Sequence, residues 1–157
     1  MSDKNNAADL VGGVTVESLR DLIQKFGYRA EIIADAKGVT LVRSSTSGVI
    51  FDIRLGNRIA GDQSAYADFT FLALFRVQGG ELPLTLLNGW NNARRFGRLH
   101  FDQGFLMLDM DVSLVGGVHA AHLRAQFEIW DQLLQGLVAY LRSELPRATA
   151  ATGAEAA

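Results

Sequence analysis

The 157-residue chain has no cysteine, which excludes disulfides, thiolate metal sites and a cysteine nucleophile. It also lacks a dominant charge. Fifteen Lys and Arg against 17 Asp and Glu leave a formal net charge of −2, so no overall field exists to hold nucleic acid or an anionic membrane. No run approaches the roughly 18 apolar residues needed to span a bilayer. The opening MSDKNNAADL lacks the apolar core of a signal peptide. These absences together lead us to expect a cytoplasmic protein. There is no Gly-x-Ser-x-Gly elbow, and no Lys-Ser/Thr follows Gly116-Gly117 as a phosphate-binding loop would require.

What is present suits a single domain with a real core, since 48% of the residues are apolar. Residues 1–14 and 146–157 are polar or Ala/Thr-rich without periodicity, and are expected to be disordered tails around a domain at 15–145. Thr15 can cap a first helix whose Leu19, Leu22, Ile23 and Phe26 share one face, with Gly27 as its stop. The period then changes to two. Tyr28–Ala34 and VTLVRS read as a hairpin, and Val49, Phe51, Ile53 and Leu55 alternate along a third strand. GNRIAGDQS reads as a polar loop. The segment Tyr66–Val77 puts Phe69, Phe71, Ala73 and Phe75 on one side and reads as a long strand, although FLALF also suits a helix.

A second helix is expected from about Pro83 to Phe96, with Leu86, Leu87, Trp90 and Ala93 as its buried stripe and Gly97 as its stop. RLHF and FLMLDMDV follow as two strands around Asp102-Gln103-Gly104. After Gly116-Gly117 a last helix is expected to about Leu145, with Leu123, Phe127, Trp130, Leu134, Leu137 and Leu141 on one side. The order α-β-β-β-(β)-α-β-β-α implies an α+β fold with an antiparallel sheet.

That order, with Trp90-Asn91 near the end of the middle helix, Arg94-Arg95-Phe96-Gly97-Arg98 leading into a strand, Asp109-Met110-Asp111, and Gly116-Gly117 before a long helix, resembles the YbjN-type family. The resemblance spans about Thr15 to Leu145. It implies a bacterial sensory-transduction regulator with a fold similar to that of the type III secretion chaperones, small homodimers that hold extended segments of client polypeptides. It assigns no catalytic residues. The chain departs from the family at Asn92-Ala93, where members tend to be charged.

The candidate chemistry is thin. Asp109 and Asp111 point to the same strand face and can build a metal or acid/base pair, but a solvated face is the plainer reading. His119 and His122 lie three apart at the start of the last helix, and spacing fixes no further ligand. Arg94, Arg95, Arg98 and His100, with Phe96 among them, form the densest basic cluster. Arg94 and Arg95 are expected in a helix's last turn, facing the negative end of its dipole, with a partner's carboxylate as the second choice. Trp90 and Trp130 lie on apolar stripes that suit a core or a dimer interface. No cofactor and no metal are expected.

The expected function is therefore non-enzymatic: a homodimer that binds another polypeptide, because three amphipathic helices offer more apolar surface than one modest sheet can cover. Trp90, Arg94, Arg95, Trp130, Leu134 and Leu137 are the candidate partner-binding or interface residues. The alternative is a small-ligand sensor with a pocket between the sheet and the last helix, lined by Phe69, Phe71, Phe75 and Leu134.

Overall fold

The computed structural model describes residues 10–155, with side chains as far as residue 145. Strand β1 (Leu10–Val11) leads into helix α1 (Val16–Lys25), then β2 (Arg29–Ala34), β3 (Thr40–Thr46) and β4 (Val49–Leu55). A small hairpin of β5 (Arg58–Ile59) and β6 (Asp62–Tyr66) precedes the long β7 (Asp68–Arg76) and helix α2 (Leu84–Ala93). Strands β8 (Arg98–Asp102), β9 (Phe105–Ser113) and β10 (Val118–His119) then run into helix α3 (Ala120–Glu155). The main sheet has six strands in the order β2-β3-β4-β7-β9-β8, and every ladder in it is antiparallel. The fold is α+β, and FLALF is strand: Asp68 to Arg76 pair without a break against Ser113 to Phe105.

Alternation sends Phe51, Ile53, Phe69, Phe71, Leu99, Leu108 and Met110 to one face of this sheet. All three helices close over that face with Leu19, Ile23, Leu86, Trp90, Leu123, Phe127, Trp130, Leu134 and Leu137. At the centre Trp130 stacks on Phe71 with ring centroids 5.1 Å apart, and Phe127 meets Phe71 edge-on at 4.8 Å. The α1 start is as the sequence suggests. The Thr15 hydroxyl accepts from the Ser18 N–H while Ser18 reaches back to the Thr15 N–H, a reciprocal cap. Gly27 takes the positive φ of 95° that ends the helix.

Four expectations are corrected. Residues 10–14, expected in a disordered tail, pair Leu10 and Val11 with His119 and Val118, while Val14 is buried and bridges to Tyr66. That pairing also delays the last helix to Ala120. The polar loop folds into the β5–β6 hairpin. The last helix, expected to end at about Leu145, continues as α3 to Glu155; residues 1–9, 156 and 157 lie outside the described residues.

The fourth concerns the end of the middle helix. α2 stops at Ala93, and Arg94 is already extended at φ −119°, ψ 149°. The left-handed residue is Phe96 at φ 73°, not Gly97. Gly97 is needed for closeness instead: a Cβ there would lie 2.9 Å from Leu133 Cδ1 and 3.2 Å from Leu108 Cδ1. Arg94 and Arg95 therefore sit beyond the helix rather than in its last turn.

Candidate functional site

Beyond Leu137 the apolar stripe of helix α3 borders an opening to solvent. The apolar stripe is fully buried through Leu137, where it has strands beneath it. The same stripe continues to Leu141 and Leu145 near the end of β7, with Val138 beside it. There Phe75, Val77, Leu82, Pro83 and Leu106 form the opposite wall of a cleft of about 690 Å³, open to solvent. A neighbouring recess of about 400 Å³ shares Phe75, Leu141 and Leu145 and adds Val138 and Arg142. Arg76, Gln78 and Glu81 stand on the rim. The volume falls within the range of ligand sites, but the shape is a trough, not an enclosed cavity. Chemically it offers apolar contact along its floor and both signs of charge at its lip.

The cleft wall on the α2 side is held by one lock. The Tyr140 hydroxyl donates to the Leu86 carbonyl at 2.7 Å, and the Tyr140 ring lies 5.5 Å from that of Trp90. Burial raises the Tyr140 pKa above its ordinary value, with Glu144 adding to the effect. Gly89 makes room for this contact, since a Cβ at Gly89 would lie 2.7 Å from the Tyr140 oxygen.

Most of the candidate interface residues are not offered to a partner. Trp90, Trp130, Leu134 and Leu137 are all at most 1% exposed within the chain's own core. Trp90 fills the space between α2 and α3, and Trp130 stacks on Phe71, so neither can be reached without opening the fold. The pocket expected between Phe69, Phe71, Phe75 and Leu134 is likewise filled by packed rings, and only Phe75 lines an opening.

The basic cluster disperses. Arg94 lies over the Trp90 ring at 5.2 Å and Arg95 over Phe96 at 5.1 Å, both exposed. Arg98 and His100 turn to the opposite side of the sheet, where the Arg98 Nη2 donates to Asp109 at 3.1 Å and His100 Nδ1 lies 3.5 Å from the same carboxylate. The bond to Asp109 raises the Arg98 pKa. Asp109 is thus buried under its partners instead of solvated, while exposed Asp111 accepts from the Thr70 hydroxyl at 2.6 Å. His119 and His122 are exposed, and among the described residues no three His, Cys, Asp or Glu side chains gather as a metal site.

Two features escaped the sequence reading. Asn91 grips the edge strand β8: its amide donates to the Leu99 carbonyl at 2.9 Å and its carbonyl accepts from the Leu99 N–H at 3.0 Å. The side chain stands in for one more strand and closes that edge to pairing at Leu99. The second is the ion pair of Arg43 and Asp52, with two bonds at 2.7 and 3.0 Å. Asn91 belongs to the Trp90-Asn91 pair that carries the family resemblance, so a signal existed without its meaning.

Compared with known proteins, residues 15–143 match the YbjN family model, whose description is "putative bacterial sensory transduction regulator". No curated protein and no solved structure matches the chain. Among the described residues no helix is long and apolar enough to cross a membrane.

Proposed function

The chain belongs to the YbjN family, and from that premise we propose that it is a bacterial regulator that acts without catalysis, by binding a segment of another polypeptide in the cleft between β7 and the end of α3. The observation that carries this reading is the continuation of the α3 stripe past Leu137 into an opening to solvent. Val138 and Leu141 line that opening together with Phe75, Val77 and Leu82, so that apolar side chains border it from both the helix and the strand. A cleft open to solvent fits a chain that enters and leaves, whereas a small ligand would need walls on all sides to bury most of its surface. Arg76, Glu81 and Arg142 at the rim give polar anchors of both signs, which suits a peptide with mixed side chains around apolar anchors. A cytoplasmic setting is part of the reading and accords with the absence of cysteine.

Panning a random-peptide library against the purified protein tests this directly. Enriched peptides should carry two or more large apolar residues and bind by fluorescence anisotropy. Leu141→Glu, which puts a charge on the cleft floor, should weaken them about tenfold or more while leaving the fold intact by circular dichroism. Peptides that bind wild type and Leu141→Glu equally would refute the cleft as the binding site, and a library that yields no binder would refute the peptide reading.

A further inference from the structure

Three helices cover one face of the main sheet, and among the described residues no helix packs on the other. An antiparallel sheet can leave a face in water when that face is polar. This one is not polar at its centre. The three middle strands place Ile50, Leu72, Leu74, Phe105 and Met107 on the uncovered side, with Ile50 62% and Leu74 47% exposed. Leu74 pairs directly with Met107, and Ile50, Leu72 and Leu74 line one shallow recess with Arg43 and Asp52. The apolar residues therefore form one patch rather than scattered points.

Two carboxylates at the centre of this face are already neutralised. Across five strands the registers align Arg43, Asp52, Leu72, Asp109 and Arg98 in a single row, which reads the same in both directions. Each carboxylate is held by its own guanidinium, with Arg43 on Asp52 at 2.7 Å and Arg98 on Asp109 at 3.1 Å. Arg76 lies over the Phe105 ring at 5.8 Å. A row whose ions are paired internally exerts no single-sign pull on a partner, and a partner that fits it must itself bring an apolar centre.

We propose that this uncovered sheet face is where a second copy of the chain docks, sheet against sheet. The face meets its own requirements: apolar side chains meet apolar side chains at the centre, and the exposed Arg43 and Arg98 guanidiniums, which cover the buried Asp52 and Asp109, lie toward the rim on β3 and β8, where they keep water. The size is adequate. Six strands about 4.8 Å apart and about six residues long project on the order of 500 Å². Side-chain relief raises the accessible area toward the ~800 Å² per partner of a standard interface. A twofold contact uses the same patch twice and closes on itself, so it leaves no open surface for further growth. The proposal is independent of the cleft, which opens at the other side of the sheet under α3. It also relocates the dimer contact away from Trp130 and Leu137, which the core has already consumed.

Sedimentation equilibrium at micromolar concentration reads the outcome. Wild type should be a dimer, and Leu74→Glu and Ile50→Glu should each weaken dimerisation about tenfold or more. Both positions are exposed, so thermal melts of the variants should still show a cooperative fold. Val115→Glu, 76% exposed and off the face, should leave the dimer unchanged. Because the chain has no cysteine, Leu74→Cys should form a covalent dimer under mild oxidant while Val115→Cys does not. A wild type that stays monomeric throughout, or a dimer indifferent to both glutamates, would overturn the proposal. A dimer lost in Leu141→Glu but kept in Leu74→Glu would also overturn it, since the second copy would then occupy the cleft and the client reading would fall instead.

Discussion

Removing the Asn91 amide should loosen the β8 edge by an amount that the structure bounds. Two part-buried hydrogen bonds tie this side chain to Leu99, one in each direction. Net values of about 0.5–1.5 kcal/mol each put Asn91→Ala at about 1–3 kcal/mol. Asn91 is exposed, so water can reach part of what is freed, and the lower half of that range is expected. Asn91→Asp sharpens the test because it is nearly the same shape. Its carboxylate still accepts from the Leu99 N–H but sets an oxygen against the Leu99 carbonyl, where the amide had donated. At neutral pH the Asp variant should therefore be no more stable than the Ala variant, and it should recover relative to Ala as acid supplies the missing proton. Urea unfolding followed by tryptophan fluorescence is the assay, since Trp90 and Trp130 are both buried and report on loss of the core. Light scattering should rise in either variant, because Leu99 then presents unpaired backbone groups on an edge strand. If Asn91→Asp unfolds at the wild-type midpoint at neutral pH, the two-way grip is not what holds this edge.

Two glycine substitutions should move stability in opposite directions although both lie in helices. Gly136→Ala should stabilise by about 0.5–1 kcal/mol, because its Cβ meets only Trp90 Cη2, at an ordinary 3.7 Å, while the helix gains propensity. Gly89→Ala should destabilise by breaking the Tyr140 bond to Leu86, and most of that loss should vanish in a Tyr140→Phe background; thermal melts of the double-mutant cycle decide it. Trp90→Ala should cost about 3–5 kcal/mol in denaturant melts, since the whole ring is buried and its indole N–H has no acceptor, so its contribution is packing. The acid limb should depend on Asp35. The Val39 N–H, together with Lys37 and Arg54, holds this carboxyl below its ordinary value of 3.8. Its stabilisation is therefore complete above that value and lost as pH falls through the lower folded-state value. Asp35→Asn should flatten the loss of stability as pH falls below 3.8, and an unchanged acid titration of the melting midpoint would contradict this.

The helical stripes and strand alternation were legible because each is a repeat written in consecutive residues. Leu19 and Ile23, the Phe69, Phe71 and Ala73 set, and Leu123 through Leu137 all face the core as their spacing indicates. What was not legible depends on residues far apart. Leu10 and Val11 find Val118 and His119 more than a hundred positions away, and no local pattern announces so short a pairing. The α2 end was misplaced because Gly97 looks like a helix stop, whereas its lack of a side chain serves contact with Leu133 and Leu108. Alternation shows that a strand has two faces but not which one the helices will choose. Trp90, Trp130, Leu134 and Leu137 were thus candidates for a surface that the core absorbed, while Ile50 and Leu74 went unremarked. The cleft was half visible: the stripe extended to Leu141, but its opposite side, from Phe75 to Pro83, comes from a distant part of the chain.

The placement of the aromatic centre has a consequence for synthesis of the chain. Phe51, Phe69 and Phe71 lie in the first half of the sequence, and the residues that cover them, Phe127 and Trp130, come some sixty residues later. At about 5–20 residues per second, the ribosome takes roughly 3–12 s to add that interval. The β2-β3-β4-β7 part of the sheet can pair as it emerges, because its ladders join strands close in sequence, and α1 is already made to cover its β2-β3 side. For those seconds Phe51, Phe69 and Phe71 still lack Phe127 and Trp130, so the nascent sheet is sticky at its aromatic centre until the last helix arrives.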